Sequence, residues 1–196
     1  MSNNSTEKHP LQPFLPENAK ILMLGSFPPP QARWSMDFFY PNWINDMWRA
    51  MGLIFFDDRH YFELKGEKRF DKERVVEFCT QKGIALYDTA CEVTRQKDNA
   101  SDKFLEVVTP TDIKALLSAL PHCTAIVTTG QKATDVIVDT FGCNEPPVGE
   151  KSNLYTGGRE YNFWRMPSTS RAYPLALDKK AVYYKKMLID EGIYTA

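Results

Sequence analysis

The sequence predicts an α/β protein with a mostly parallel sheet that helices cover on both faces. Short apolar runs that fit buried strands alternate along the chain with segments of helical periodicity. The chain has 196 residues, enough for one domain with a sizeable core, and its 43% hydrophobic content is ordinary for a globular protein. Strands that are joined by helices run parallel, because each connection crosses back over the sheet.

The first half of the chain predicts two strands and two helices. A strand over residues 20–24 leads into a loop with three consecutive prolines, which fix φ and stiffen the backbone. Helical spacing follows over residues 42–52, with Gly52 as the C-cap. A second helix ends at Gly83, and the apolar strand after it stops at Asp88.

The second half continues the alternation. Thr109 is the predicted N-cap of a third helix that has Pro110 at its first position. A β-branched strand precedes a helix closed by Gly142, and a Gly-Gly pair then predicts a hairpin turn. The long final helix has one apolar face, made of Leu177, Ala181, Tyr184 and Leu188.

The N-terminus and the overall composition exclude several classes of protein. Residues 1–17 predict a flexible polar arm that becomes ordered near Phe14, and residues 18–196 form the single domain. Neither a signal peptide nor a membrane span is indicated, so we expect a cytoplasmic protein. The four cysteines are widely spaced, which predicts reduced thiols rather than a zinc or iron–sulfur site. The net charge of −1 gives no general basic signal, although it is compatible with a local basic patch.

The predicted strand ends point to one site. In sheets of this kind, ligands bind beyond the carboxyl ends of the strands. Those ends are followed here by the segments GSFPPP, YDTA, TGQK and MPSTSRA, three of which carry small or polar residues that could meet a ligand.

Four segments, in the same order along the chain, resemble the motifs of the uracil-DNA glycosylase superfamily. They are GSFP, FFYPNWINDMW, GIALYDTACEVTRQKDNASD and MPSTSRA, and they are most similar to the hypoxanthine-DNA glycosylase and mismatch-specific branch. The resemblance implies a three-layer αβα fold around a central, mostly parallel four-stranded sheet. It also implies a monofunctional, monomeric hydrolase that excises a deaminated base, uracil or hypoxanthine, from damaged duplex or single-stranded DNA. Such a reaction needs a placed water and a flipped base, but no metal or redox cofactor.

The resemblance implies an asparagine that positions the water. Phe27 stands where the best-known members carry Asp or Asn, and a phenylalanine cannot orient water. In the similar branch the essential Asn lies in the aromatic segment, which Asn45 matches best and Asn42 second. The alternative role for either residue is helix capping. We favour capping for Asn42 and catalysis for Asn45, because Asn45 falls inside the predicted first turn.

Asp88 is the residue expected to read the base. It matches an Asn that contacts the edge of uracil in the best-known enzymes. Deamination turns a ring nitrogen from an acceptor into an N–H donor, which a carboxylate would accept. An N-cap role for the element after the strand is an equal alternative. Further base contacts are expected from Gly25, Ser26, Phe27, Phe39 and Tyr40, although at least one aromatic residue of 38–40 should belong to the core.

The late loop is expected to contact DNA. The resemblance and the residue types assign phosphate contacts to Pro167, Ser168, Thr169, Ser170 and Arg171, with Arg171 as a charge or a wedge. The alternative is a polar turn before a helix. Met166 replaces a histidine of the best-known enzymes. The lysines of the last helix predict a solvated face made of Lys179, Lys180, Lys185 and Lys186.

Two other classes of function remain. Phe27 and Met166 favour a catalytically inactive binder of nucleic acid or nucleotide on the same fold. A small-molecule α/β hydrolase is disfavoured, because the sequence has no G-x-S-x-G segment and no Ser-His-Asp set. The three histidines, His9, His60 and His122, are expected in the arm, in a polar loop and before a strand, away from the strand ends.

Overall fold

The computed structural model describes residues 6–95 and 105–195. The strands are β1 (Thr6–Lys8), β2 (Ile21–Gly25), β3 (Ile84–Asp88), β4 (Ala90–Arg95), β5 (Leu105–Pro110), β6 (Ala125–Thr128), β7 (Glu150–Thr156) and β8 (Arg159–Arg165). The helices are α1 (Met47–Phe56), α2 (Lys72–Lys82), α3 (Ile113–Ser118), α4 (Gln131–Phe141) and α5 (Leu177–Asp190). A 3-10 turn at Gln31–Arg33 follows the prolines.

The main sheet has five strands in the order β3-β2-β6-β8-β7. The first four are parallel, and β7 pairs antiparallel with β8. The predicted α/β class is therefore confirmed, but the predicted count of four strands is wrong. The first arm of the predicted hairpin lies on the same sheet and adds a fifth strand at its edge.

The order of the strands implies helices on both faces of this sheet. The chain moves from β2 to β3 in one direction, and from β3 to β6 and β8 in the other. Because such connections are right-handed, α1 and α2 cover one face while α3 and α4 cover the opposite face. Helix α5 packs against α1. Every residue of β2, β3 and β6 is buried, which explains why these strands are continuous apolar runs.

A second sheet was not predicted from the sequence. It has three antiparallel strands in the order β1-β4-β5, and β4 starts two residues after β3 ends. Residues 6–8 of the predicted arm thus pair with β4, and Phe14 forms a further backbone bridge with Leu86 of β3. Backbone pairing is therefore present at residues 6–8, well before Phe14. The N-cap alternative for Asp88 is wrong, because a strand follows it.

Helix α1 differs from its prediction at both ends. It begins at Met47 rather than near Asn42, and it runs past Gly52 to Phe56. The residue after it, Asp57, adopts a left-handed conformation with φ 53°. Gly52 is needed for packing, since a Cβ there would lie 2.4 Å from the carbonyl oxygen of Asp58.

The remaining helices follow the sequence more closely. Helix α2 begins after Asp71 and ends at Gly83, α4 ends at Gly142, and α5 buries the predicted apolar face except for the half-buried Leu177. For α3 the predicted cap is wrong: Asp112 caps the helix by accepting from the Ala115 N–H, and Thr109 and Pro110 belong to β5.

All four cysteines are free. Within residues 6–95 and 105–195, no helix combines the length and apolar character that a bilayer crossing requires.

Candidate functional site

Several of the predicted site residues lie at the carboxyl ends of the parallel strands. Strand β2 ends at Gly25 and β3 at Asp88, and these two residues lie directly opposite each other in the sheet register. Strand β6 ends at Thr128 beside Arg165 of β8. Since all four strands run in the same direction, the loops after them meet at one edge of the sheet.

Gly25 allows the Asp88 carboxylate to lie against the backbone. A Cβ at Gly25 would stand 2.4 Å from Oδ1 of Asp88, a distance that no side chain tolerates. The backbone around the pair is also fixed. The Thr89 N–H donates to the Gly25 carbonyl at 2.9 Å, and the Thr111 hydroxyl donates to the Asp88 carbonyl at 2.7 Å. The carboxylate is therefore held at the strand end rather than in open solvent.

Tyr40 closes the other side of this pair. Its backbone is left-handed, with φ 51°, a conformation that bulky residues seldom adopt. Its hydroxyl lies 2.9 Å from Oγ1 of Thr129, and 3.8 Å from where a Gly25 Cβ would be. Burial raises the pKa of the Tyr40 phenol, and the nearby charge of Asp88 raises it further. The hydroxyl thus stays protonated. Because the Thr129 hydroxyl donates to the Leu24 carbonyl at 3.3 Å, the Tyr40 hydroxyl donates to Thr129.

His9 belongs to this site, contrary to the sequence prediction. Its Nε2 lies 2.8 Å from Oδ2 of Asp88, and its side chain is only 2% exposed. The imidazole is surrounded by the rings of Tyr87, Phe27 and Phe39, at centroid distances of 4.6, 5.2 and 6.3 Å. No local signal could have revealed it, because the contact depends on pairing of β1 with β4.

Two of the predicted base-binding aromatics are packed into the protein. Phe27 lies in a small cluster with Ala90, Val93 and Leu105, separate from the main core. Phe39 is part of the main core. Both rings form the wall behind His9, and Tyr40 is the half-buried aromatic of the segment over residues 38–40. Ser26, between Gly25 and Phe27, is also half-buried.

Asn42 and Asn45 both bond to nearby backbone. Oδ1 of Asn42 accepts from the Ile44 N–H at 3.2 Å, which is a local turn rather than the expected helix cap. Oδ1 of Asn45 accepts from the N–H of Met47, the first residue of α1, at 2.9 Å. The Asn45 bond is a local turn of the same kind, one residue before the N-cap Asp46, whose side chain makes no capping bond. Each carboxamide oxygen retains a second lone pair.

The late loop is tied to the start of α1. The Asp46 N–H donates to the Thr169 carbonyl at 2.9 Å, and Arg171 Nε lies 3.4 Å from Oδ1 of Asp46. Ser168 and Ser170 accept backbone N–H bonds within the loop, and the Pro167 carbonyl accepts from Tyr184. The Arg171 side chain is 49% exposed, so its guanidinium remains accessible to a phosphate.

Lys180 corrects the prediction of a solvated lysine face. It is fully buried, and its Nζ donates to Oδ2 of Asp46 at 2.9 Å and to the Ser170 carbonyl at 2.8 Å. One ammonium therefore joins α5, the late loop and the start of α1. Met166, one residue before the loop, is also buried.

The structure thus brings the predicted residues into two neighbouring groups. Gly25, Asp88 and Tyr40 form the first, together with His9. The asparagine segment and the late loop form the second. The loop after β6 lies between them. Thr129 bonds to Tyr40 of the first group, and a Cβ added to Gly130 would lie 3.8 Å from the Cβ of Ser168 in the second. Residues 96–102, the end of the segment GIALYDTACEVTRQKDNASD, lie outside the described residues.

The fold is shared with a solved structure. The solution NMR structure of "a putative Uracil DNA glycosylase" from Methanosarcina acetivorans is similar, with a TM-score of 0.58 and 19% sequence identity. The similarity covers 92% of this chain and 98% of that chain. No family model matches the sequence, and no curated protein matches it. At this identity the similarity establishes the fold.

The chemistry available at this edge is that of hydrogen bonding and charge. It offers a fixed carboxylate, a protonated phenol, two carboxamides and an accessible guanidinium. Among the residues that the structure describes, no group of three or more His, Cys, Asp or Glu side chains could hold a metal ion. A surface depression of about 510 Å³, lined by residues 13–18 and Thr80, contains none of the predicted site residues.

Proposed function

We propose that this protein is a DNA glycosylase of the uracil-DNA glycosylase superfamily, related to the hypoxanthine and mismatch-specific branch. It would hydrolyse the N-glycosidic bond of uracil or hypoxanthine as a monofunctional, metal-independent enzyme of base excision repair. The observation that carries the proposal is the Asp88 carboxylate, fixed opposite Gly25 at the carboxyl edge of a sheet whose fold matches that of the M. acetivorans protein.

Asp88 would select the deaminated base. Uracil and hypoxanthine carry a ring N–H that a carboxylate accepts, whereas the parent bases present a lone pair at that position. Carboxylate and lone pair would repel each other and leave a buried acceptor unpaired, at a cost of about 1–3 kcal/mol. Tyr40, whose phenol stays protonated, would turn its O–H from Thr129 to a carbonyl oxygen of the same base.

The hydrolysis itself needs a positioned water. The C1′–N bond breaks and its electron pair leaves with the base, while the water oxygen bonds to C1′ and its proton is released. The free lone pair of the Asn45 or Asn42 carboxamide would orient that water. The loop over residues 167–171 would hold the flanking phosphates, with the half-exposed Arg171 supplying charge.

The test is excision from defined oligonucleotides. Duplexes and single strands carrying one uracil or one hypoxanthine are incubated with the protein and a chelator, and then treated with alkali. We expect strand scission at the damaged position that requires the alkali step, and none with undamaged DNA. Asp88→Ala should abolish excision. Scission without alkali would contradict the monofunctional assignment.

A second assay separates the two asparagines. Asn45→Ala should lower single-turnover excision about 10²-fold or more, the usual contribution of a positioned catalytic group, with little change in DNA affinity. Asn42→Ala is a matched control, since each variant loses one side-chain bond to backbone N–H. The reverse pattern would assign the water to Asn42.

The second candidate is an inactive binder on the same fold. It is favoured by Phe27 and Met166, because neither side chain can ionise or orient a water, and both are buried. Measurable DNA binding without abasic sites on either substrate would select this function instead.

A further inference from the structure

We infer that His9 is a positioning residue for Asp88, one that fixes the carboxylate plane so that Oδ1 faces Gly25 and the bound base. This inference rests on the proposed function. Its basis is the contact between His9 Nε2 and Asp88 Oδ2 at 2.8 Å, between side chains that are 2% and 10% exposed. The two carboxylate oxygens thereby have different surroundings, with Oδ2 bonded to the imidazole and Oδ1 beside Gly25.

The hydrogen-bond network assigns the donor. The Asp88 carboxylate can only accept, so Nε2 of His9 carries the proton, and in the neutral ring Nδ1 accepts from the Leu11 N–H at 3.1 Å. The Leu11 carbonyl lies 2.9 Å from the same nitrogen and would accept from a doubly protonated ring. In both states Nε2–H faces Asp88. The His9–Asp88 bond is therefore a donor-to-carboxylate bond, the strong kind of hydrogen bond in proteins.

The backbone of His9 is hydrogen-bonded to the second sheet. Its backbone N–H donates to the Cys91 carbonyl at 2.7 Å, which continues the pairing of β1 with β4. Two residues earlier, Glu7 accepts from Arg95 at 3.0 Å, and Arg95 donates to the Pro28 carbonyl at 2.7 Å. The arm, β4 and the proline loop thus form one connected unit. A residue held in this way can orient Asp88, because it stays bound to β4 and does not move in and out of the site.

The consequence is a specific effect on base recognition. A carboxylate that turns freely about its χ2 angle would present its oxygens in several directions. Excision depends on holding the reacting groups within a fraction of an ångström of the productive geometry. Loss of the imidazole should therefore lower the rate of the bound complex and weaken discrimination between hypoxanthine and adenine, while contacts to the DNA backbone remain.

The experiment compares His9→Ala and His9→Gln with Lys8→Ala, which alters an exposed neighbour. Single-turnover excision of hypoxanthine is measured at saturating protein, together with the ratio of affinities for hypoxanthine- and adenine-containing duplexes. We expect His9→Ala to lower the saturated rate about 10- to 100-fold and to narrow the affinity ratio. His9→Gln keeps a donor and should recover part of the rate, and Lys8→Ala should match the parent protein. His9→Gln also keeps the test usable if the alanine variant does not fold.

A double-mutant cycle with Asp88→Asn completes the test. If His9 acts through Asp88, adding His9→Ala to Asp88→Asn should cause little further loss. One outcome is that the parent protein excises while a folded His9→Ala variant keeps the same rate and the same discrimination. That result would overturn the role of His9 and leave the proposed function standing. Faster excision by His9→Ala would also overturn it, because the arm would then obstruct the site. A parent protein with neither excision nor base preference would overturn the proposed function, and the role of His9 with it.

Discussion

Lys180 is the residue on which the late loop depends. Its buried ammonium contacts the Asp46 carboxylate and the Ser170 carbonyl, so that the charge is paired and hydrogen-bonded at once. A buried ion pair is seldom a large net gain in stability, but removal of one partner leaves the other charge uncompensated. Lys180 and Asp46 therefore fix where the loop lies relative to α1.

Lys180→Met should lower the free energy of unfolding by about 3 kcal/mol, the low end of the usual range, because Arg171 remains near Asp46. Urea denaturation measures the change. Lys179→Met is the control, since Lys179 is exposed and should shift stability by about 0.5 kcal/mol at most. Equal unfolding midpoints for the two variants would refute a structural role for the buried pair.

Gly25 leaves the space that the Asp88 carboxylate occupies. Gly25→Ala pushes against the Asp88 carboxylate and should displace it, because the added Cβ would lie 2.4 Å from Oδ1. Displacements near 1 Å reduce catalysis about 10²-fold. Gly52→Ala is the matched control for Gly25→Ala. Its added Cβ would also lie 2.4 Å from an oxygen, the Asp58 carbonyl, but Gly52 belongs to α1 rather than to a strand end.

We expect Gly25→Ala to lose excision per folded molecule and Gly52→Ala to lose stability with excision retained. Single-turnover rates normalised to the folded fraction distinguish them. If the two variants behave alike, Gly25 has no special relation to the site.

At the scale of elements, the sequence predicted those helices whose ends carry local signals. Helices α2 and α4 have a glycine after the last turn, and α2 has Asp71 before the first. The start of α1 could not be predicted in this way. Apolar residues continue at helical spacing from Ile44, but the carboxamides of Asn42 and Asn45 bond to the backbone two residues on and hold the segment in turns.

The proline loop is the element that the sequence singled out, and two contacts now define it. The Pro28 carbonyl accepts from Arg95, and the Pro29 carbonyl accepts from the Trp34 indole at 2.7 Å. Alanine at residues 29 and 30 would keep both acceptors. Any effect of removing the prolines must therefore come from the greater conformational freedom of the backbone.

Pro29→Ala with Pro30→Ala should lower stability by about 0.4–1 kcal/mol per proline, raise amide hydrogen exchange around Phe27 and reduce excision. Trp34→Phe is the comparison, because it removes the bond to Pro29 and keeps the prolines. Exchange mass spectrometry and single-turnover rates are the measurements. Lower stability with unchanged excision per folded molecule would mean that the loop is only a rigid turn.

At the scale of the whole molecule, non-local pairing limited the sequence prediction. The parallel strands and their carboxyl edge followed from apolar runs, because such runs are typical of strands buried on both faces. The second sheet depends on β1 meeting β4, and His9 lies 79 residues from Asp88. Nothing in the residues near His9 indicates that partner. The part of the candidate site that could be predicted is the part supplied by strand ends.

The core also carries titratable groups that make stability depend on pH. Burial raises the pKa of the Cys79 thiol and raises that of Cys123 to about 11. It also raises the pKa of the phenols of Tyr40 and Tyr184. A free thiol loses its proton near pH 8.5 and a free phenol near pH 10. The native protein therefore binds more protons than the unfolded chain above these values, and its stability must fall as pH rises.

The free energy of unfolding should decline from about pH 8.5, by about 1.4 kcal/mol per pH unit for each buried thiol, and more steeply above pH 10 where the two phenols join. The contribution of Cys123 is present below the pKa of the unfolded thiol and ends as the pH passes about 11. Urea denaturation at a series of pH values, with a reductant present, measures the slope. Cys123→Ala removes one thiol and should flatten the slope between about pH 8.5 and 11 by about 1.4 kcal/mol per unit, whatever it costs at neutral pH. An unchanged slope in that variant would show that the Cys123 thiol ionises equally well in the native protein.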